Sequence, residues 1–534
     1  MTPTPEAPAA PAAGGSRVTP RAAEPDHVGR HRSATVSVLV GLLTAAIASI
    51  GSWGVSLWSD EAATISAASR GLDDLWRMLG NIDAVHGTYY AVMTFWTEMF
   101  GTSAFSLRLP SAIAVGVAAS GVHVLARRLD ARSALLAAAL FAVLPRVTWA
   151  GIEARPFAFS IAIAVWLTVV LHRAATRGPR RLFAVYAVLL ALGTAINLYV
   201  ALMAAAHGLT LLARPHLRRS FPAFVAASVT AFLLVTPVLL LALGQGGQLG
   251  RRERGLVAMV RNVVVNQWFL GETPTPTTAS AAALAAPDGM AWKVAAVVLA
   301  LVSWALVARA LAAGHRDRPG VRADLLAWTL PWLVVPTVLV LIASLASPTF
   351  YNARYLGLSA PAVALLVASG VGSLPRRWGT AAAVVVALLV APVYQSQRTL
   401  SAKSGADWAA VANLLEDRTD PGDAVYFGPR DDPREGRVLR SLRTLSIAYP
   451  EPFDGLRDVT LVANPAQGAN LFGTSATLDA SLDRLDGIDT LWVLRRQDRP
   501  DDAVAEDALL LDAGFTVVEE WDYPQTEVLE LTRS

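Results

Sequence analysis

The chain is 534 residues long, 54% hydrophobic and 16% charged, with a mean hydropathy of +0.44. Soluble proteins carry about 25% charged residues, so this is membrane composition. The net charge of +3 and pI near 9.3 come from Lys and Arg scattered in short loops, the pattern of topology signals and not of a nucleic-acid-binding face. Cysteine is absent, which excludes disulfides, Cys-ligated zinc, iron–sulfur clusters and thiol nucleophiles.

Residues 1–34 are rich in Ala, Pro, Thr, Gly and Arg and read as a disordered cytoplasmic tail. The first apolar run starts late and leads into S-L-W-S-D-E instead of a small-residue cleavage site, which argues against a cleaved signal peptide. Apolar runs close to the ~20 residues of a spanning helix then recur near 35–57, 105–126, 133–150, 156–172, 181–196, 198–213, 221–243, 291–311, 324–346, 355–373 and 378–394, which predicts eleven spans. Basic clusters at 126–132, 172–181, 214–219, 309–318 and 374–378 all fall on one side of that count, together with the arginine-bearing N-terminal tail. Excess Lys and Arg marks the cytoplasmic face, so the N-terminus is expected inside and the loop 58–104 outside, as is everything after residue 394.

Within the outer loop, G-L-D-D-L-W-R-M-L-G predicts an amphipathic interfacial helix with Leu72, Leu75, Trp76 and Leu79 on one face. The apolar stretch Y-Y-A-V-M-T-F-W-T-E-M-F is too short to span and suits a helix embedded in the outer leaflet. A second outer segment, about 244–290, places Arg251, Arg252, Arg254 and Arg261 against the charge rule; the first three read as a solvated cluster. Residues 395–534 are more polar. D-W-A-A-V-A-N-L-L predicts an amphipathic helix with Trp408, Val411 and Leu415 on one face, and D-A-V-Y-F, D-V-T-L-V, T-L-W-V-L, T-V-V-E-E-W and E-V-L-E-L-T predict strands, giving one small α/β domain. There is no internal repeat and no Gly-Lys-Ser/Thr phosphate loop.

Two polar motifs in the first outer loop carry the chemistry. W-S-D-E-A-A-T sets Asp60 and Glu61 just past the first apolar run, and D-A-V-H-G-T-Y-Y supplies Asp83, His86, Tyr89 and Tyr90. Charged groups beside a bilayer are costly, and carboxylates with an imidazole are the parts of an acid/base site. Asp83, His86 and Tyr90 at i, i+3 and i+7 share one face if helical, and Gly87 permits close approach to the backbone. Glu61 points about 100° from Asp60 on a helix. The alternative roles are an N-cap for Asp60 and interfacial placement for His86, Tyr89 and Tyr90. Arg155 in I-E-A-R-P-F and Arg354 in F-Y-N-A-R-Y open two spans on the outer side, against the topology rule. Guanidinium binds phosphate oxygens bidentately, so phosphate is a natural partner; pairing with Glu153 or snorkelling is the structural alternative.

D-E-A, D-x-x-H-G-x-Y-Y, F-G-T-S-A-F-S-L-R-L-P-S-A-I and E-A-R-P-F-A-F together resemble the integral-membrane glycosyltransferases of the GT-C superfamily. Within it, the likeness is to the bacterial branch related to protein O-mannosyltransferases and aminoarabinose transferases, as in actinobacterial putative mannosyltransferases. The resemblance covers about residues 35–375. It implies a GT-C-like polytopic helical domain over 35–394 and, over 395–534, a variable extracytoplasmic domain. It further implies Asp60 as catalytic base or acceptor-orienting group, and Asp83, His86 and Tyr89 or Tyr90 as the second motif, with Gly87 where the family often has proline. Arg155 and Arg354 match the positions that hold the phosphate of a polyprenyl-phosphate sugar donor. Transfer, of mannose foremost, to an envelope glycan, lipid or protein acceptor at the outer face of the cell membrane follows. Some relatives use a divalent cation, for which Asp60, Asp83 and His86 are candidate ligands. A lipid or glycan transporter is the competing class, but its ionisable residues belong near the midplane and its halves repeat, and neither feature is visible.

Overall fold

Proline placement explains how the long helices of this chain are cut and joined. The computed structural model of the chain describes residues 27–176, 178–245, 255–271, 287–316, 320–347, 350–428, 442–497 and 500–533. Residues Met1–Val36 and Ser37–Ser534 form separate units. Helix α1 (His27–Ser49) begins ahead of the first apolar run, so the end of the expected tail is helical; the tail's first 26 residues lie outside the described ones, as do Arg251, Arg252 and Arg254. The loop expected outside folds as α2 (Ser59–Ala68), α3 (Leu72–Asn81) and α4 (Gly87–Phe100), followed by α5 (Ala104–Leu129). Pro110 in α5 cannot donate to the carbonyl of Ser106, and the Trp96 indole of α4 donates to it instead, at 2.9 Å. The next apolar stretch is broken into α6 (Ala134–Val143) and α7 (Pro145–Ala150), because the residue before a proline favours extended backbone and Leu144 adopts it.

The remaining helices are α8 (Phe157–Thr176), α9 (Arg181–Ile196), α10 (Leu202–Ala213), α11 (Phe221–Gly244), α12 (Leu256–Arg261), α13 (Pro287–Arg316), α14 (Val321–Ala346), α15 (Ala360–Gly372, after a 3-10 turn Ala353–Ser359) and α16 (Arg376–Ser396). A π-helix, Asn262–Leu270, continues α12. Pro336 in α14 repeats the device of Pro110: the freed Trp332 carbonyl accepts from the Ser359 hydroxyl at 3.1 Å. Eight helices among the described residues are long and apolar enough to cross a membrane, and the chain is a multi-pass membrane protein. The expected spans at 133–150, 181–196 and 198–213 form shorter helices.

The helix ends sort into two layers. On one, the Tyr394 hydroxyl meets the Ile47 carbonyl at 2.6 Å, Arg108 meets the turn after α1, and Tyr199 donates to the Phe350 carbonyl. On the other, Arg214 pairs with Asp324, and Arg309 donates to the Ser373 carbonyl at 3.3 Å.

Residues 408–533 carry α17 (Trp408–Glu416), α18 (Arg443–Ala448) and α19 (Pro500–Asp512) around a five-stranded mixed sheet. Its order is β2 (Arg457–Asp458), β1 (Ala424–Gly428), β5 (Thr490–Arg496), β7 (Thr526–Arg533), β6 (Phe515–Asp522); β1 runs parallel to β2 and β5, and β7 antiparallel to both its neighbours. The D-V-T-L-V stretch splits into β2 and β3 (Leu461–Ala463), and β3 pairs separately with β4 (Thr474–Ser475). Trp408, Val411 and Leu415 are buried as the periodicity predicts. They share one apolar core with α2, α3 and α4, so the loop 58–104 and the C-terminal residues pack on each other. Cross-links reinforce it: Leu57 N–H donates to the Tyr449 oxygen at 2.8 Å, and Arg70 to the Asn470 carbonyl at 3.0 Å.

Helix α3 buries Leu75, Met78 and Leu79, while Leu72 and Trp76 are 50% and 69% exposed. The apolar stripe Leu72, Leu75, Trp76 and Leu79 is thus covered by the shared core only on the side of Leu75 and Leu79, which Met78 joins.

Candidate active site

Helix α2 starts where the chain leaves the first span. Trp58, in extended backbone, takes the N-cap position, so Asp60 is not the cap and its carboxylate is free to point outward from the first turn. Its Oδ2 lies 2.7 Å from Nη1 of Arg354, which is presented by the 3-10 turn before α15 and positioned by the Asn352 side chain accepting from its backbone N–H at 3.2 Å. The Arg354 guanidinium is ringed by Trp58, Phe157 and Tyr355 at 5.4, 5.3 and 5.7 Å, and its Nη1 also reaches the buried carboxylate of Glu153 at 3.3 Å. Burial alone would raise the Asp60 carboxyl; the charges of Arg354 and then Arg155 outweigh it and hold the group down at about 2.

The second motif meets the first through Arg155. Its Nη1 donates to the Tyr90 hydroxyl at 2.8 Å, and that hydroxyl donates to Asp83. The His86 ring stands edge-on to Tyr90, with Nε2 4.0 Å from the Asp83 carboxylate. The three residues therefore meet as their spacing predicts, but not on a continuous helix. Asp83 adopts a left-handed conformation, φ 60°, ahead of a 3-10 turn Ala84–His86, and α4 begins at Gly87. An aspartate in that region costs of order 1 kcal/mol, and Gln245 supports it by accepting from the next backbone N–H at 2.9 Å. Gly87 is the point of close approach anticipated: a Cβ there would sit 2.8 Å from Leu79 of α3. Burial, with Arg155 adding to it and Asp83 opposing, lowers the His86 imidazole to about 4, so the ring is neutral near pH 7.

Tyr89 stands outside these hydrogen bonds. It is buried against Phe159, and its hydroxyl has no hydrogen-bond partner among the described residues. Glu61 is fully enclosed: its Oε1 accepts from Nε of Arg108 at 2.8 Å and from the Ala154 N–H at 3.1 Å, and its Oε2 accepts from Nη2 of Arg108. Thus Asp60, Asp83, His86, Tyr90, Arg155 and Arg354 form one connected cluster, whereas Glu61 and Tyr89 lie behind it. Asp60, Asp83 and His86 do not converge as a metal-ligand set. Among the described residues, the one three-ligand group with atoms within 4.8 Å of one another is Glu520, Asp522 and Glu527 at the sheet edge.

Two residues escaped the sequence reading. Arg108 stood in the quoted R-L-P-S motif without a role; besides Glu61 it donates to the carbonyls of Ser52, Val55 and Ser56, which fixes the turn joining α1 to α2. Lys403 is wholly buried, with Nζ 4.0 Å from Glu61 and 4.2 Å from the Trp149 ring. It is one of only two lysines in the chain, a rarity that was visible in the sequence.

Residues 88–241 match the family model described as dolichyl-phosphate-mannose-protein mannosyltransferase. The chain also superposes on the crystal structure of ArnT from Cupriavidus metallidurans in the apo state with a TM-score of 0.57 and 13% identity, covering 93% of this chain and 98% of that one. For ArnT from the same organism bound to undecaprenyl phosphate, the TM-score is 0.55 at 12% identity, over 95% of this chain and 98% of that one. No curated protein sequence matches. The architecture is that of the GT-C integral-membrane glycosyltransferases, the class to which the loop motifs pointed.

Proposed function

We propose that the chain transfers a sugar, mannose foremost, from a polyprenyl-phosphate donor to an envelope glycan, lipid or protein at the outer face of the cell membrane. The observation that carries this reading is the Asp60–Arg354 pair at 2.7 Å, set with Arg155 at one end of the helix bundle in a GT-C fold. A relative of the same fold has been solved with undecaprenyl phosphate, which supports a lipid-borne phosphate as the donor's anchor.

In this mechanism Arg354 and Arg155 receive the donor phosphate. A phosphate on Arg354 competes with Asp60 for the guanidinium, so the carboxylate is released and its basicity rises from the depressed value of about 2. Asp60 then takes the proton of the acceptor hydroxyl as its oxygen attacks the anomeric carbon. The bond from that carbon to the phosphate oxygen breaks on the opposite face, the configuration inverts, and the polyprenyl phosphate leaves with its charge held by arginine. Tyr90, Asp83 and His86 hold Arg155 in place, and Glu61 with Arg108 sets the direction of α2. No step is routed through a metal, since the candidate ligands do not converge.

The test is to incubate purified protein with labelled polyprenyl-phosphate sugars. Consumption of one donor, with product of inverted anomeric configuration, is expected; survival of every donor in the presence of envelope acceptors would overturn the reading.

A further inference from the structure

The end of the bundle away from Asp60 holds a polar cavity. Between the ends of α5 and α8 and the start of α14 lies a cleft of about 90 Å³, lined by Arg128, His172, His216 and Asp324 over a floor that includes the buried Trp328. The volume exceeds the roughly 10–15 Å³ that one water needs several-fold, which leaves room for a small oxyanion. The His172 ring lies 5.0 Å from the Trp328 ring, and its buried Nδ1 has no hydrogen-bond partner among the described residues. Asp324, the acid of the lining, is already paired with Arg214. Arg219 reaches the carbonyl of Thr176, which also lines the cleft, at 3.4 Å.

Basic residues at the ends of α5 and α8 satisfy the topology signal and the helix dipole, but neither requires a cavity. Nor does either require two imidazoles on a tryptophan floor, with the one acid neutralised from outside. We propose that this cleft binds a phosphate group, with Arg128 as the charged anchor and His172 and His216 as hydrogen-bond donors. Phosphodiester headgroups and free phosphate share that chemistry. The three flanking helices are all long and apolar enough to cross a membrane, so the cleft opens at headgroup depth, and basic pockets between spans at the cytoplasmic side suit anionic lipids. The anchored phosphate would tie α14 to α5 and α8 on the layer opposite the reactive cluster.

The test uses the full-length protein in phosphatidylcholine nanodiscs, with thermal unfolding as the readout, so it does not depend on any sugar transfer. Including phosphatidylglycerol should raise the unfolding midpoint by several degrees, while inorganic phosphate added at the same concentration should not. Arg128→Ala should lose the lipid gain, and Arg128→Lys, which keeps the charge, should retain part of it. An equal gain from inorganic phosphate would overturn the lipid as the source and leave a free-anion site. A wild-type lipid gain in Arg128→Ala, or no gain from either addition in the wild type, would overturn the site itself.

Discussion

Asp60 and Glu61 are neighbours in sequence, each paired with an arginine from a distant helix, yet they sit in opposite environments. The turn of about 100° per residue in α2 sends Glu61 into the protein, where its side chain is 0% exposed, and leaves Asp60 24% exposed. Arg108 gives Glu61 two donors and spends the rest on three backbone carbonyls. Arg354 divides one nitrogen between Asp60 and Glu153. A sealed pair whose polar atoms are all engaged fixes geometry, because breaking it strands a charge in a dry interior. A half-open pair with a shared guanidinium can be exchanged for another anion. The same chemistry thus serves as a rivet at one residue and as a latch at the next.

The largest expected effect is on the rivet. Arg108→Ala leaves Glu61 with only Lys403 at 4.0 Å and the Ala154 N–H, frees three carbonyls, and should cost about 3–5 kcal/mol, seen as a collapse of folded yield and unfolding temperature in detergent. A variant as stable as wild type would erase the contrast between the two pairs. Asp60→Asn should do the reverse: normal insertion and unfolding temperature, with sugar transfer reduced by about 10²–10⁴-fold, the usual range for a lost general base. Arg354→Ala should rank next, weakening donor binding by roughly tenfold or more through the loss of a charge-assisted contact of about 1.5–3 kcal/mol. Arg354→Lys should recover only part, because an ammonium lacks the fork. Unchanged donor affinity with reduced expression would make Arg354 a second rivet.

A smaller effect separates the two motifs by pH. His86 titrates at about 4 in the folded chain against an unfolded value near 6.5, so folding excludes its proton. Its contribution to stability is therefore whole above about pH 6.5 and declines as pH falls toward 4. Asp60, held at about 2 against an unfolded value near 3.9, contributes stability that is lost only below that window, as pH drops from about 4 to 2. Unfolding midpoints measured from pH 7 to 4.5 should fall for the wild type and fall less for His86→Gln, the difference amounting to roughly 1–3 kcal/mol. Parallel curves would mean that His86 is not sealed beside Arg155 as described.

The sequence made the spans, the polar loop motifs and most C-terminal strands legible, because periodicity and charge report burial against lipid or core directly. It paired Asp83, His86 and Tyr90 correctly through their spacing, although the joint between them is a left-handed aspartate and a 3-10 turn that no spacing encodes. It could not show that Glu61 and Arg108, 47 residues apart, close on each other. Nor could it tell which part of the α3 stripe the core covers, Leu75 and Leu79 but not Leu72 and Trp76. That outcome depends on where the C-terminal residues lie, and Tyr449, Asn470 and Leu471 reach the outer loop from nearly 400 residues downstream. Local pattern gives the faces of an element; which face is covered is a long-range fact.

The smallest expected effect tests whether that lesson holds two helices later, in α4. Tyr89 and Tyr90 are again neighbours, both fully buried, and again differently engaged: Tyr90 bridges Arg155 and Asp83, whereas the Tyr89 hydroxyl is without a partner among the described residues. Removing a buried hydroxyl that makes no hydrogen bond takes away a desolvation cost and little else, so Tyr89→Phe should leave the unfolding midpoint within about 0.5 kcal/mol of wild type or raise it slightly. Tyr90→Phe strips a donor from Asp83 and an acceptor from Arg155 and should lower both stability and transfer, by an amount of order 1–3 kcal/mol. If Tyr89→Phe proved the more damaging for transfer, its hydroxyl would have to find its partner in the bound substrate. The reactive cluster would then extend behind Tyr90 toward Phe159, and the boundary drawn between latch and rivet would move with it.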